Sequence, residues 1–171
     1  MNIELGADVW YSADVKGYAM LRLPDLEPRA ITFAGVQLAP KAEYHCSILA
    51  ARKLAQGDAE KEHGLVEAVR LWLSQNALTY NCLNGEVHVC RRRNEAGEEE
   101  MTVVAGVVVD GLAALHAALQ KDFPEVPALI PHATVLKSAN SPYGIGVNSA
   151  EDLAAYCEPH PKLFTQIFAS A

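Results

Sequence analysis

The sequence predicts an α+β fold of antiparallel sheets with helices packed on their outer faces. Three observations point there. Runs of β-branched and aromatic residues recur between turn signals, and two amphipathic stretches of helical period interrupt them. In addition, two of the predicted strands nearly repeat one another: His45-Cys46-Ser47-Ile48-Leu49 and His132-Ala133-Thr134-Val135-Leu136. Each is a histidine, a small residue, a hydroxyl residue and two aliphatics. Their separation, 132 − 45 = 87, is about half of the 171 residues. That spacing predicts a single domain over 1–171 made of two pseudo-symmetric lobes, with one motif strand from each lobe facing a central groove.

The elements follow in order. Tyr18–Leu23 and Ile31–Leu38 read as strands around the loop Pro24-Asp25-Leu26-Glu27-Pro28. Pro40 breaks the chain before the first motif strand, 44–50. Asp58 caps a helix running to about Asn76, with Leu65, Val69, Trp72 and Leu73 as its apolar stripe. Asn84-Gly85 predicts a tight hairpin between strands 78–83 and 86–93. A polar turn, Asn94–Glu100, leads into the strand Met101–Val109. Leu112, Leu115 and Leu119 mark a second helix, stopped by Pro124 and Pro127. The second motif strand comes next. Beyond it lie a Ser/Gly/Asn-rich loop over 138–149, a short helix near Glu151–Tyr156 and a last strand at Leu163–Phe168.

Composition narrows the function. Half the chain is hydrophobic and a fifth is charged, as in an ordinary globular domain. Net charge is 14 − 21 = −7, which repels extended polyanions; a duplex-binding surface is not expected, and the charge leaves room only for a local basic pocket for a small nucleotide or an RNA end. The most apolar run, Met101–Val109, is too short to span a bilayer. Met1–Trp10 carries two acids and no base, unlike a secretory signal, and a cytoplasmic protein is expected. Cys46, Cys82, Cys90 and Cys157 show no paired spacing, so reduced, mostly buried thiols are expected.

In a strand, residues i and i+2 share a face. His45 therefore stands beside Ser47, and His132 beside Thr134. Splitting a phosphodiester requires a base to activate water and an acid to protonate the departing oxygen. Histidine, with an ordinary pKa of about 6.5, fills either role near neutrality. Hydroxyls donate hydrogen bonds to the non-bridging oxygens as charge builds there. This chemistry calls for no metal and no cofactor, and the sequence holds no H-E-x-x-H or Asp-x-Asp run.

With its two H-x-[S/T] strings, the chain resembles the two-histidine (2H) phosphoesterase superfamily, defined by two H-h-[S/T]-h motifs with h hydrophobic. The 2′-5′ RNA ligase-like proteins and the cyclic nucleotide phosphodiesterases belong to it. Pro131-His132-Ala133-Thr134-Val135-Leu136 is similar to the second motif of that family, and Gly17-Tyr18-Ala19-Met20-Leu21-Arg22-Leu23-Pro24 to its first strand. Two residues depart from the usual pattern: Cys46 stands where a bulkier aliphatic is common, and Ser47 where threonine is frequent. The resemblance implies that His45 and His132 are the general acid/base pair and that Ser47 and Thr134 grip phosphate. It further implies a bilobal α+β fold and a substrate with a 2′,3′-cyclic phosphate or a related nucleotide ester. Activity on 2′-5′ linkages, or nucleotide binding without turnover, are the alternatives.

Other features carry less. Arg91-Arg92-Arg93 reads as a solvated strand end balancing Glu98–Glu100, with Arg92 a candidate for steering substrate phosphate. Tyr143 is a candidate for stacking on a base from a flexible loop. Gly144-Ile145-Gly146 lacks the third glycine of a dinucleotide fingerprint. His63 and His116 are placed on partly solvated helix faces, His160 in a loop, and His88 on a strand face with Cys90.

Overall fold

The structure, a computed structural model, describes residues 1–14, 16–24 and 26–168. Asp25, within the expected proline-flanked loop, lies outside the described residues. The chain runs β1 (Asn2–Gly6), β2 (Val9–Ser12), β3 (Tyr18–Arg22), β4 (Ile31–Phe33), β5 (Val36–Pro40), β6 (His45–Leu49), α1 (Ala51–Ala55) and α2 (Ala59–Leu73). It continues with β7 (Thr79–Arg93), β8 (Glu99–Asp110), α3 (Leu112–Asp122), β9 (His132–Lys137), α4 (Ala150–Tyr156), β10 (Cys157–Pro159) and α5 (Leu163–Ile167). These form two compact units. One comprises 1–23, 45–82 and 108–131, the other 24–44, 83–107 and 132–171. The fold is α+β with two antiparallel sheets, as expected.

The first unit holds a four-stranded sheet in the order β1-β2-β3-β6. Val9, Leu21 and Cys46 lie in register across three of its strands and are buried. Leu65 and Val69 of α2 and Leu115 and Leu119 of α3 are buried in the same unit, the apolar stripes that the helical spacing predicts. Asp58 caps α2, its carboxylate accepting from the backbone N–H of Glu60 and Lys61 at 3.0 Å. The helix ends at Leu73, short of Asn76. A polar clamp ties α1 and α2 to β2. Tyr11 Oη donates to Glu62, Arg52 Nη2 donates to Glu62 at 3.1 Å, and the same nitrogen donates to the Ala13 carbonyl at 2.6 Å.

The second unit is built on a six-stranded sheet, β10-β7-β8-β9-β5-β4. Several sequence expectations are corrected here. Ile31–Leu38 is a hairpin rather than one strand: Ala34 and Gly35 both take positive φ, 48° and 80°, the turn pattern that closes two antiparallel strands tightly. Asn84-Gly85 is no hairpin. β7 runs through it, and Gly85 at φ 88° makes a local irregularity in a continuous strand. Leu163–Phe168 is the helix α5 instead of a strand. The N-terminal hairpin β1–β2, the short α1 and β10 were not expected.

Two of the four cysteines are joined. Cys90 and Cys157 face each other across β7 and β10 and form a disulfide; Cys46 and Cys82 keep their thiols. The expectation of four reduced cysteines is therefore wrong. The loop over 138–149 is also better anchored than expected. Ile145 and Val147 are buried with Cys90, Val104 and Cys157, and Ser138 Oγ accepts from the Met101 backbone N–H at 3.1 Å. No described helix is long and apolar enough to cross a membrane.

Candidate functional site

Each motif strand sits in a different unit, and the two share a local geometry. Burial along His45–Leu49 and along His132–Leu136 follows the same sequence. The histidine and the hydroxyl residue are half-buried, while the small residue and both aliphatics are buried. Strand alternation explains the first three positions. It does not explain two consecutive buried aliphatics.

A β-bulge does. On β6, Ser47 pairs with Met20 and Leu49 with Ala19, so Ile48 is an extra residue with no partner on β3. On β9, Thr134 pairs with Val104 and Leu136 with Val103, so Val135 is the extra residue. The bulge falls at the fourth position of both motifs. An extra residue resets the alternation, so both aliphatics enter the core while histidine and hydroxyl keep one common face. Sequence reasoning missed the bulge, although the paired aliphatics are its trace.

In the first unit, Arg22 lies directly opposite His45 and therefore on the same face. Its guanidinium stands 5.2 Å over the Trp10 ring. That ring meets the His45 imidazole edge-on at 5.9 Å, with 83° between the planes. Arg22 also approaches the Asp8 carboxylate, at 3.9 Å. A cation and an aromatic surface thus accompany His45 and Ser47. Neither Arg22 nor Trp10 was anticipated, and strand periodicity alone would have placed Arg22 two residues from Met20 on the correct face.

In the second unit, His132 lies opposite Gly106 and Thr134 opposite Val104. Gly144, at φ 82°, packs on Thr134: a Cβ there would come within 3.3 Å of Thr134 Oγ1. Tyr143 precedes it and is 65 % exposed. Lys137 Nζ donates to the Pro142 carbonyl at 3.2 Å and helps hold this turn.

The remaining candidates separate. Arg92 Nη2 donates to Glu100 at 3.0 Å, and Arg93 Nη1 to the Gly97 carbonyl at 3.1 Å. Arg91 faces Glu99 at 3.8 Å and stands over Phe33. Arg92 and Arg93 are thus engaged with their own hairpin, and Arg91 with Glu99 of that hairpin and Phe33 of β4. His116 is buried rather than partly solvated, with Nε2 at 3.1 Å from the Ile48 carbonyl. Among the described residues, no three His, Cys, Asp or Glu side chains converge as a metal would require. Of the surface cavities, one of about 240 Å³ lies along α4 and β10, and one of about 290 Å³ lies between α2 and α3. Neither is lined by a motif residue.

No family model matches the chain, and comparison with curated proteins and with solved structures returns no significant match.

Proposed function

We propose that the protein is a phosphodiesterase of the two-histidine type, opening a 2′,3′-cyclic phosphate or a related nucleotide or RNA-end ester. What supports this most is the repeated geometry. Two strands, one in each unit, present histidine and hydroxyl on one half-buried face and carry a bulge at the same position. A structural role gives no reason for that repetition. Bulges concentrate beside functional sites because they re-aim side chains. We read the repeat as an internal duplication of one strand pair.

On this reading one imidazole takes a proton from water. The water oxygen bonds to phosphorus, the bond to one ribose oxygen breaks, and the second imidazole protonates that oxygen. Ser47 and Thr134 donate to the non-bridging oxygens as negative charge grows on them. The mechanism requires that His45 and His132 serve a single phosphorus. Neither proton transfer calls for a metal.

The test is product analysis with 2′,3′-cyclic nucleotides and with RNA fragments ending in a cyclic phosphate, in the presence of a chelator. A linear monoester product, lost in His45→Ala and in His132→Ala, is expected. Joined RNA would indicate ligase activity, and affinity without product would indicate a binding module; either result replaces the hydrolase reading.

A further inference from the structure

The Asn84-Gly85 pair makes no hairpin, and its actual position bears on His132. Three neighbouring strands are involved: β7 carries Asn84, β8 carries Gly106, and β9 carries His132. Gly106 is directly opposite His132, so a side chain at 106 would share its face. Glycine leaves that place open, and the Asn84 carboxamide fills it. A Cβ on Gly106 would fall 2.3 Å from Asn84 Oδ1 and 2.5 Å from Nδ2. Directly opposed Cβ positions lie about 5 Å apart on one face, so the carboxamide lies on the face of the sheet that carries His132 and Thr134.

Its orientation is fixed. Asn84 Oδ1 accepts from the Glu86 backbone N–H at 2.8 Å. A backbone N–H can be met only by the oxygen, so the NH₂ end is directed elsewhere. One of its two hydrogens reaches Glu86 Oε2 at 3.3 Å. The other has no partner among the described residues. Asn84 is exposed, so a ligand can reach it.

We infer that Asn84 is a phosphate-binding residue, its NH₂ group donating to a non-bridging oxygen of the ester held by His132 and Thr134. This rests on the reading proposed above and adds a third donor to it. A neutral amide suits the place: it donates to an anion without bringing a charge that would repel a protonated imidazole. Gly106 is the enabling residue, since any Cβ would push the carboxamide away.

Calorimetry with adenosine 3′-monophosphate and hydrolysis of 2′,3′-cyclic AMP, run side by side, test the inference. Asn84→Asp keeps the oxygen that Glu86 needs and exchanges the donor for a carboxylate. It is expected to weaken monophosphate binding at least 10-fold and to lower kcat/KM on the order of 100-fold, with an unchanged melting temperature. Gly106→Ala should give the same loss with Asn84 intact, and combining the two should add little. Should Gly106→Ala fail to fold, Asn84→Asp alone decides.

The outcomes separate the two ideas. Turnover in the wild type with equal monophosphate binding by Asn84→Asp overturns the role of Asn84 and leaves the hydrolase reading standing. Binding without turnover in the wild type, weakened in Asn84→Asp, sinks the hydrolase reading and supports Asn84. A wild type that neither binds nor hydrolyses overturns both.

Discussion

The imidazole of His116 donates through Nε2 to the carbonyl of Ile48, the residue of β6 that has no cross-strand partner. A carbonyl can only accept, so Nε2 carries the hydrogen. Ile48 is buried at the bulge, and α3 supplies this hydrogen bond to its carbonyl. His116→Ala is expected to cost on the order of 1–3 kcal/mol in urea unfolding, because the Ile48 carbonyl would be left unsatisfied. The same variant should lower activity, since the bulge sets how His45 and Ser47 are presented. Stability within a few tenths of the wild type would show that the bulge does not depend on this bond.

Ser47→Ala and Thr134→Ala should each lower kcat on the order of 100-fold, the usual cost of one donor to a developing negative charge. Ser47→Thr should retain most activity, because Thr134 holds the equivalent place in the other strand. Steady-state kinetics on a 2′,3′-cyclic nucleotide reads both. A change confined to KM would assign the hydroxyls to ground-state binding instead.

Gly144→Ala should impair catalysis more than folding. The positive φ costs about 1 kcal/mol for any residue with a Cβ. The added methyl also presses on Thr134 Oγ1, which is 3.3 Å away. Kinetics and thermal denaturation of the same preparation separate the two effects. Wild-type turnover in a folded Gly144→Ala protein would remove Thr134 from the site.

The Tyr11–Glu62–Arg52 clamp sets a pH dependence of stability with two limbs. Burial, and then the hydrogen bond to Glu62, push the Tyr11 phenol up to about 12. The fold favours the neutral phenol, so this contribution is whole below about pH 10 and is lost as pH rises through 12. Burial opposes ionisation of Glu62, but hydrogen bonds from Arg52 and Tyr11 outweigh it and hold the carboxyl below its ordinary range. That contribution is present above the ordinary carboxylate range and is lost as pH falls through the lowered folded value. Tyr11→Phe should flatten the alkaline limb of a melting-temperature profile, and Glu62→Gln the acid limb. Unchanged limbs would mean that the clamp contributes nothing to folding.

The motif strands were legible because period-2 alternation is a property of the backbone and survives in any fold that buries one sheet face. Asp58 and the leucine stripes of α2 and α3 were legible for the same reason: capping and helical periodicity are local. Non-local choices were not legible. Asn84-Gly85 supplies the positive φ of a hairpin turn, yet a strand can use that φ for an irregularity when the neighbouring strand has a glycine for the asparagine to cover. The Cys90–Cys157 disulfide depends on β10 pairing with β7, a contact between residues 67 apart in sequence. Trp10 and Arg22 reach His45 through register across three strands, which only the folded sheet fixes.

Opening the disulfide should cost about 4 kcal/mol, the chain-entropy value for a loop of 67 residues. Cys157→Ser or reduction, followed by urea unfolding, measures it. Hydrogen exchange should localise the loosening to α4, β10 and the 138–149 loop, whose Ile145 and Val147 share the Cys90–Cys157 cluster. Loosening spread evenly over both units would contradict that placement.

The central claim, that His45 and His132 work on one phosphorus, is tested most directly by single-turnover hydrolysis of a 2′,3′-cyclic nucleotide in a double-mutant cycle. The account predicts that His45→Ala and His132→Ala each lose on the order of 1,000-fold, and that the double variant is scarcely worse than either. Near-wild-type turnover in either single variant, or losses that multiply in the double, would contradict it.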